Sequence, residues 1–324
     1  MFRLNSLHAA MTPEAAASDL GITAERARKL LASARQRLRS HRRQLLQAGG
    51  QTVEPTPVTS VNARFAVALA ELGAVCNDPE LLQRAQKVLR FLRQSHYTGD
   101  GGLMRIAPTS TRRGIPARGI DYATLLDALF RVYRHDLDPR HLVWAARLGR
   151  EVLGNHSDTE GLLLEVPGKD RILTVPLYDP AMIVGNSAWG IIYGPLQRLH
   201  QLTGAEEFET ARAAVAARLL EAFERNPLIH TDFGIASQAA QRDTLVCLDG
   251  PRDDPEFARL HRVVREPQFA GITVVHLDPV LSQALDLPGP GSVTRAIVRR
   301  GGEQTTTAAT AGELRTLLEA PRPE

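Results

Sequence analysis

The sequence predicts a mainly α-helical protein whose helices form hairpins, with a small α/β unit at the C-terminal end. Apolar residues recur at helical spacing through residues 58–225, and turn signals divide this stretch into three helix pairs. After residue 241, short apolar runs alternate with helical segments, which predicts the α/β unit. We therefore expect three domains, over residues 1–57, 58–240 and 241–324.

The composition is that of a globular protein without a membrane span. The chain has 324 residues, of which 43% are hydrophobic and 23% charged, so it is long enough for a sizeable core. A net charge of +3 does not require a polyanionic partner. The first residues contain no apolar segment typical of a secretion signal. Cys76 and Cys247 match no metal or redox spacing, so we expect two buried free thiols and a cytoplasmic location.

Residues 1–57 are expected to form a helical arm and a linker. A short helix begins at Thr12-Pro13-Glu14 and ends at Gly21, and Thr23 caps a longer helix that extends to about Gln47. The longer helix carries many arginines, which indicates a solvated basic face. Residues 12–43 also resemble a DNA-binding helix-turn-helix, but no third helix completes its core, so nucleic acid is not the expected partner.

The three helix pairs of residues 58–240 are separated by about 60 residues, a spacing typical of stacked helical hairpins. Asn77-Asp78-Pro79, residues 135–138 and Thr203-Gly204 are the predicted turns within the pairs. The predicted helices are residues 61–75, 80–94, 121–134, 139–153, 187–202 and 205–224.

The C-terminal unit is predicted to contain three strands and two helices. Its strands are expected near residues 244–248, 272–277 and 293–298, and its helices near 255–264 and 311–318. Asp249-Gly250 and Asp278-Pro279 follow two of the strands, where small-ligand sites of open α/β sheets lie. No glycine-rich phosphate loop accompanies them, so this signal is weak.

Several motifs occur in one order along the chain and carry a family resemblance. They are Asn5-Ser6-Leu7-His8, Leu20-Gly21-Ile22, Thr59–Ala63, Asp121-Tyr122-Ala123 and Gly185-Asn186-Ser187. In this order and context the chain resembles the thioredoxin-domain-containing family of the YyaL and spermatogenesis-associated protein 20 type. The family's tryptophan and glycine in the third motif are replaced here by valine and alanine. These replacements speak against catalytic activity.

The resemblance implies a partial (α/α) hairpin barrel related to the six-hairpin glycosidases and the N-acylglucosamine-type sugar 2-epimerases. It implies that the chain corresponds to the C-terminal half of such a protein, without the thioredoxin domain. Three pairs supply about six helices, and a closed barrel of six hairpins needs twice as many. We therefore expect an open half-barrel, whose partner is the missing N-terminal half or a second copy of the chain. The basic helix is a further candidate for docking onto that half.

The candidate site residues lie at helix starts and in the loops before them, where the resemblance implies a sugar-binding cavity. The catalytic candidates are Asp121, Asp179 and His230, since two carboxylates can act as general acid and base. The substrate-binding candidates are Asn62, Tyr122, Asn186, Ser187 and Trp189.

A structural explanation accounts for the same residues. Asp121 and Asn186-Ser187 lie where side chains cap helices. The histidines other than His230 are expected on the surface or at helix ends. We expect no cofactor and no metal. The function predicted is that of a family member linked to carbohydrate isomerisation or hydrolysis, and the alternative is a non-catalytic assembly subunit.

Overall fold

The computed structural model describes residues 12–47, 56–98, 102–167, 175–181, 185–241, 243–269, 271–301 and 304–320. The chain divides into two compact units, residues 1–56 and 57–324. In the second unit the described residues form helical hairpins followed by a small α/β unit, as the sequence predicts. The prediction of a mainly α-helical fold with a C-terminal α/β unit is confirmed.

The first unit contains a short helix and a long one. Helix α1 (Pro13–Asp19) is capped by Thr12, whose hydroxyl accepts the N–H of Ala15 at 3.2 Å. Gly21 follows with a φ of +61°, a conformation that glycine adopts without strain, and α2 (Ala24–Gln47) begins two residues after Ile22. Four leucines of α2 are 36–47% exposed, namely Leu30, Leu31, Leu38 and Leu45.

The described residues of the helical part of the second unit form three hairpins and one additional α-helix. The hairpins are α3 (Thr59–Cys76) with α4 (Pro79–Ser95), α5 (Gly119–Asp136) with α6 (Pro139–His156), and α7 (Ala188–Thr203) with α8 (Glu206–Arg225); the additional helix is α9 (Thr231–Ala240). Helices α3, α5, α7 and α9 pack side by side in that order, and we call them the inner row. Helices α4, α6 and α8 pack behind them as an outer layer.

The hairpins form where the turn chemistry predicts them. Asp78 and Asp138 each accept a backbone N–H of the helix that they precede, and each is followed by a proline at the first helical position. Gly204 ends α7 in the left-handed conformation, with a φ of +68°. Because successive helices run in opposite directions, all inner helices begin at the same end of the row. We call this the N-terminal end of the inner row.

Two short strands and the α/β unit complete the second unit. Strands β1 (Met104–Ile106) and β2 (Ile115–Pro116) form an antiparallel pair between the first two hairpins. The elements of the α/β unit are β3 (Thr244–Asp249), α10 (Pro255–Val264), β4 (Thr273–His276), α11 (Pro279–Leu285), β5 (Arg295–Arg300), β6 (Gln304–Ala308) and α12 (Ala311–Glu319). The strand order is β4-β3-β5-β6, with β3 and β4 parallel and the other pairs antiparallel.

Two side chains of α5 join the inner row to the α/β unit. The hydroxyl of Tyr133 accepts the N–H of His276 at 2.8 Å. The guanidinium of Arg134 donates to the carbonyl oxygens of residues 264, 265 and 266 at 2.7–2.9 Å, directly at the C-terminal end of α10. Burial lowers the pKa of Arg134 to about 10. These bonds satisfy carbonyl groups that a helix end leaves without an intrahelical partner.

Some predictions about individual side chains are wrong. Cys76 is exposed because it is the last residue of α3, whereas Cys247 is partly buried as expected for a strand residue. Several histidines lie at helix ends, as predicted, and they are buried there. His96 and His156, for example, reach the backbone carbonyls of Pro57 and Leu164 at 3.2 Å. Helix α9 was not predicted at all.

Candidate functional site

Asp121 is fully buried at the N-terminal end of the inner row, and both of its carboxylate oxygens are occupied. One oxygen accepts the N–H of Ser60 at 3.0 Å, which joins the start of α3 to the start of α5. The other accepts the N–H of Arg118 at 3.1 Å and forms an ion pair with the Arg105 guanidinium at 3.0 Å. Asp121 therefore links the start of α3 to the start of α5 and also binds Arg105.

Ser187 and Asp232 make the corresponding junction between α7 and α9. The backbone N–H and the hydroxyl of Ser187 donate to one oxygen of Asp232 at 2.7 and 2.9 Å. The Ser187 hydroxyl also accepts the N–H of Gly190 and so caps α7. The Asp232 carboxylate lies so close to Gly190 that a Cβ there would stand 2.3 Å from it, which only glycine permits. His230 is buried beside this junction, with its Nδ1 3.1 Å from the carbonyl of Pro180.

Two carboxyl groups at this end have raised pKa values. Asp179 accepts the N–H of Ala188 at 3.1 Å, and burial raises its pKa, to which the negative charge of Asp232 contributes. Glu165 is buried and accepts the N–H of Ile120 at 3.2 Å. Burial, with the charges of Asp179 and Asp121 nearby, raises the pKa of Glu165 to about 7.

Glu165 is a buried acidic residue of this site that the sequence motifs do not predict. It follows three leucines in a loop, so an acidic residue in an apolar run is the signal that points to it. Its backbone also holds the start of α5, because its carbonyl accepts the N–H of Gly119 at 2.9 Å. A Cβ on Gly119 would approach the carbonyl oxygen of Leu164 to 2.7 Å, so this contact requires glycine.

The predicted aromatic walls of the sugar cavity are both buried. Tyr122 donates its hydroxyl to Glu151 at 2.5 Å, and burial together with this bond raises the pKa of the phenol. Trp189 donates its Nε1–H to the carbonyl of Leu163 at 2.7 Å. The predicted amide Asn62 is half-buried and donates to the carbonyl of Val58 within its own helix end.

A cleft of about 420 Å³ is lined by residues of all four helices of the inner row and by the first residues of β3 and β4. Among the described residues that line it, Asn186 is the one predicted site residue, and none is aromatic. The polar and charged side chains around it include Arg64, Thr124, Asp127, Arg131, Asn186, Gln197, Arg198, Gln201, Asp232 and Asp243. Small residues of α7 and α9 form much of the remaining surface.

The charges in this cleft are partly paired with one another. Asp127 lies 3.0 Å from Arg131 and 3.5 Å from Arg198, and Glu71 lies 3.5 Å from Arg131. In contrast, the exposed side chains of Asn186 and Arg64 make no hydrogen bond or ion pair within the described part of the chain. They are therefore free to bind a ligand. The described residues contain no group of three or more potential metal-ligating side chains, and no described helix is long and apolar enough to cross a membrane.

Comparison with known proteins gives structural likeness only. No protein-family description matches the sequence, and no curated protein matches it. The GH76 α-mannanase BT2949 of Bacteroides thetaiotaomicron aligns with 83% of this chain and 69% of its own, at 11% identity and a TM-score of 0.41. The cellobiose 2-epimerase of Bacillus thermoamylovorans aligns with 53% of this chain and 62% of its own, at 12% identity and a TM-score of 0.33. Scores this low carry no argument about function, and the hairpin fold rests on the helix packing described above.

Proposed function

We propose that this chain binds a carbohydrate in the cleft of the inner row, as a relative of the YyaL and spermatogenesis-associated protein 20 type. The observation that carries the proposal is the pair Asn186 and Arg64, whose side chains face the cleft without a partner in the described chain. An amide offers both donors and acceptors, and a guanidinium offers several donors in a fixed plane. Such groups suit the hydroxyls of a sugar, which donate and accept at once.

A carboxylate completes the polar set of the proposed site. Asp127 lines the cleft and can accept from sugar hydroxyls, whereas Asp232, which also lines it, is buried and already accepts two hydrogen bonds from Ser187. The proposal is limited to binding because Asp121, Ser187 and His230 already have partners within the protein. Glu165 and Asp179 have raised pKa values, but neither carboxyl group lines the cleft, so no proton transfer to a sugar bound there is proposed.

The test is a titration of the full chain with a panel of neutral, amino and acidic sugars and short oligosaccharides, followed by calorimetry. Asn186→Ala and Arg64→Ala are each expected to weaken binding at least tenfold, which corresponds to about 1.4 kcal/mol. Asn226→Ala is the matched control, since Asn226 is an exposed amide outside the residues that line the cleft. Absence of binding across the panel, or equal binding by all three variants, would contradict the proposal.

A second candidate function is that of an assembly subunit. The observation that favours it is an apolar stripe on α3, where Val61, Phe65, Leu72 and Val75 are 51–72% exposed. Contiguous exposed apolar surface of this kind marks sites of protein association. Sedimentation of the purified chain tests this role: a mass above that of one chain supports it, and a monomer at every concentration speaks against self-assembly.

A further inference from the structure

Arg198 of α7 is a largely enclosed cation that lines the cleft and uses few of its hydrogen-bond donors. Its side chain is only 14% exposed. A guanidinium has several N–H donors, but in the described part of the chain this one makes a single hydrogen bond, from Nη1 to Asp127 at 3.5 Å. Its central carbon lies over the ring of Phe130, 5.8 Å from the ring centroid. The remaining donors are therefore available to a ligand in the cleft.

The carboxylates around Arg198 do not balance the charges of the arginines there. Asp127 lies 3.0 Å from Arg131, and Arg131 lies 3.5 Å from Glu71, so both carboxylates are already shared. Arg134 is a third cation close by, since its pKa responds to burial and to the charges of Glu71 and Arg198, and its hydrogen bonds go to uncharged carbonyl groups. In the described structure three arginines thus face two carboxylates. An enclosed charge without a full partner is costly unless an anion pairs with it.

The other two carboxylates that line the cleft are bound elsewhere. Asp232 accepts from Ser187, as described above, and Asp243 accepts from the side-chain amides of Gln197 and Gln201 at 3.3 and 2.7 Å. Neither carboxylate forms an ion pair with Arg198 in the described chain. The positive charge of Arg198 is therefore opposed directly by Asp127, which Arg131 binds more closely.

We propose that the cleft takes an acidic sugar, whose phosphate or carboxylate group binds the guanidinium of Arg198. The inference rests on the sugar binding proposed above and names the class of ligand. A guanidinium can form two parallel N–H···O bonds with either anion, and such charge-assisted bonds are stronger than those between neutral groups. A neutral sugar has no group that supplies the missing negative charge.

The length of the cleft suits a ligand with two different ends. Asn186 lies just before α7, and a Cβ on Gly185 would stand 3.7 Å from Nη1 of Arg64, so the amide and this guanidinium lie near each other. Arg198 lies ten residues after the start of α7, about 15 Å along the helix axis. Glycines of α7 that line the cleft lie between the two places. A ligand with hydroxyls at one end and an anion at the other fits this arrangement.

The test compares matched neutral and acidic sugars by calorimetric titration of the full chain. Glucose is paired with glucose 6-phosphate and with glucuronate, mannose with mannose 6-phosphate, and galactose with galacturonate. The acidic member is expected to bind at least tenfold more tightly, which corresponds to about 1.4 kcal/mol. Added salt should reduce this difference because it screens the ion pair. The phosphate and carboxylate pairs show which anion is preferred.

The outcomes separate this inference from the proposed function. Equal affinity for the neutral and acidic members of each pair would retain sugar binding and overturn the preference for an anion. Absence of binding by every sugar would contradict the proposed function, and this inference with it.

Substitutions of Arg198 test the residue that the inference assigns. Arg198→Gln keeps a long polar side chain without the charge, so the preference for acidic sugars should fall below about threefold. Arg198→Lys keeps the charge and is expected to retain part of the preference. Arg90→Gln is the matched control, since it removes an exposed arginine of α4 outside the cleft and should leave the preference unchanged.

The preference is a ratio of two affinities measured on the same variant, so a general loss of stability does not change it. Circular dichroism checks that each variant is folded. A tenfold preference that persists in Arg198→Gln would overturn the assignment of Arg198.

Discussion

The N-terminal end of the inner row and the cleft beside it are formed by the same four helices, yet their polar side chains have different roles. At the end of the row, Asp121 and Asp232 accept backbone N–H groups from neighbouring helices and hold them in place. In the cleft, Asn186 and Arg64 have no such partners in the described chain. A polar residue at a helix start is therefore not by itself a sign of a binding site.

The largest loss of stability is expected from Asp121→Ala. This variant tests whether the polar side chains at the N-terminal end of the inner row hold the helices together. The substitution leaves the N–H groups of Ser60 and Arg118 without their acceptor and removes the ion pair with Arg105. We expect the free energy of unfolding to fall by about 3 kcal/mol. Urea denaturation followed by circular dichroism measures this change. A loss below about 0.5 kcal/mol would show that the junction contributes little.

Two glycines of α7 offer a matched pair for the junction between α7 and α9. Gly190→Ala places a Cβ 2.3 Å from the Asp232 carboxylate and is expected to destabilise the protein by about 1–3 kcal/mol. Gly194 also lines the cleft, but no atom lies within 4 Å of a Cβ built there. Gly194→Ala should therefore be neutral or stabilise by up to about 1 kcal/mol. Similar stability of the two variants in thermal denaturation would contradict the close contact between Gly190 and the Asp232 carboxylate.

The pH dependence of stability tests the environment of Glu165. Its pKa is about 7 in the folded protein and lower when unfolded, so the folded state holds more protons between these values. Stability due to this group therefore falls as the pH rises from about 4.5 to about 7, by at most about 3 kcal/mol. Glu165→Gln should lack this fall. The comparison requires urea denaturation of both proteins at pH 5 and pH 8, and parallel changes in the two would contradict the assignment.

The smallest effect on stability is expected in the cleft itself. Because Asn186 is exposed and unpartnered in the described structure, Asn186→Ala should change the free energy of unfolding by less than about 0.5 kcal/mol. The same variant is expected to lose sugar binding, as proposed above. A clear loss of stability in urea denaturation would place Asn186 among the structural residues with Asp121.

The sequence predicted the hairpins because their signals are local. Asp78 and Asp138 each precede a proline, and Gly204 ends a periodic segment, so each boundary is determined by a few neighbouring residues. Helix α9 was missed because it buries only Asp232 and Phe233, and its other apolar residues face the cleft or solvent instead of forming a buried stripe.

The site was harder to predict because it depends on which helix faces meet. Asp127 and Arg198 are ordinary charged helix residues in the sequence, and only the packing of α5 against α7 brings them within 3.5 Å of each other. The motif residues Tyr122 and Trp189 were expected to contact a sugar, but their positions in the packed helices give them internal partners. Their proposed binding role remains a prediction, as do the catalytic roles of Asp121, Asp179 and His230.

The three bonds of Arg134 to the end of α10 connect the hairpins to the α/β unit. Detaching the α/β unit from the hairpins separates the guanidinium from all three carbonyl groups and Tyr133 from its N–H donor. We therefore expect the hairpins and the α/β unit to share one unfolding transition, in which amide hydrogens in α5 and α10 exchange with solvent through the same opening. In a chain that ended before β3, the guanidinium of Arg134 would lack these three acceptors, so we expect removal of the α/β unit to destabilise the hairpins.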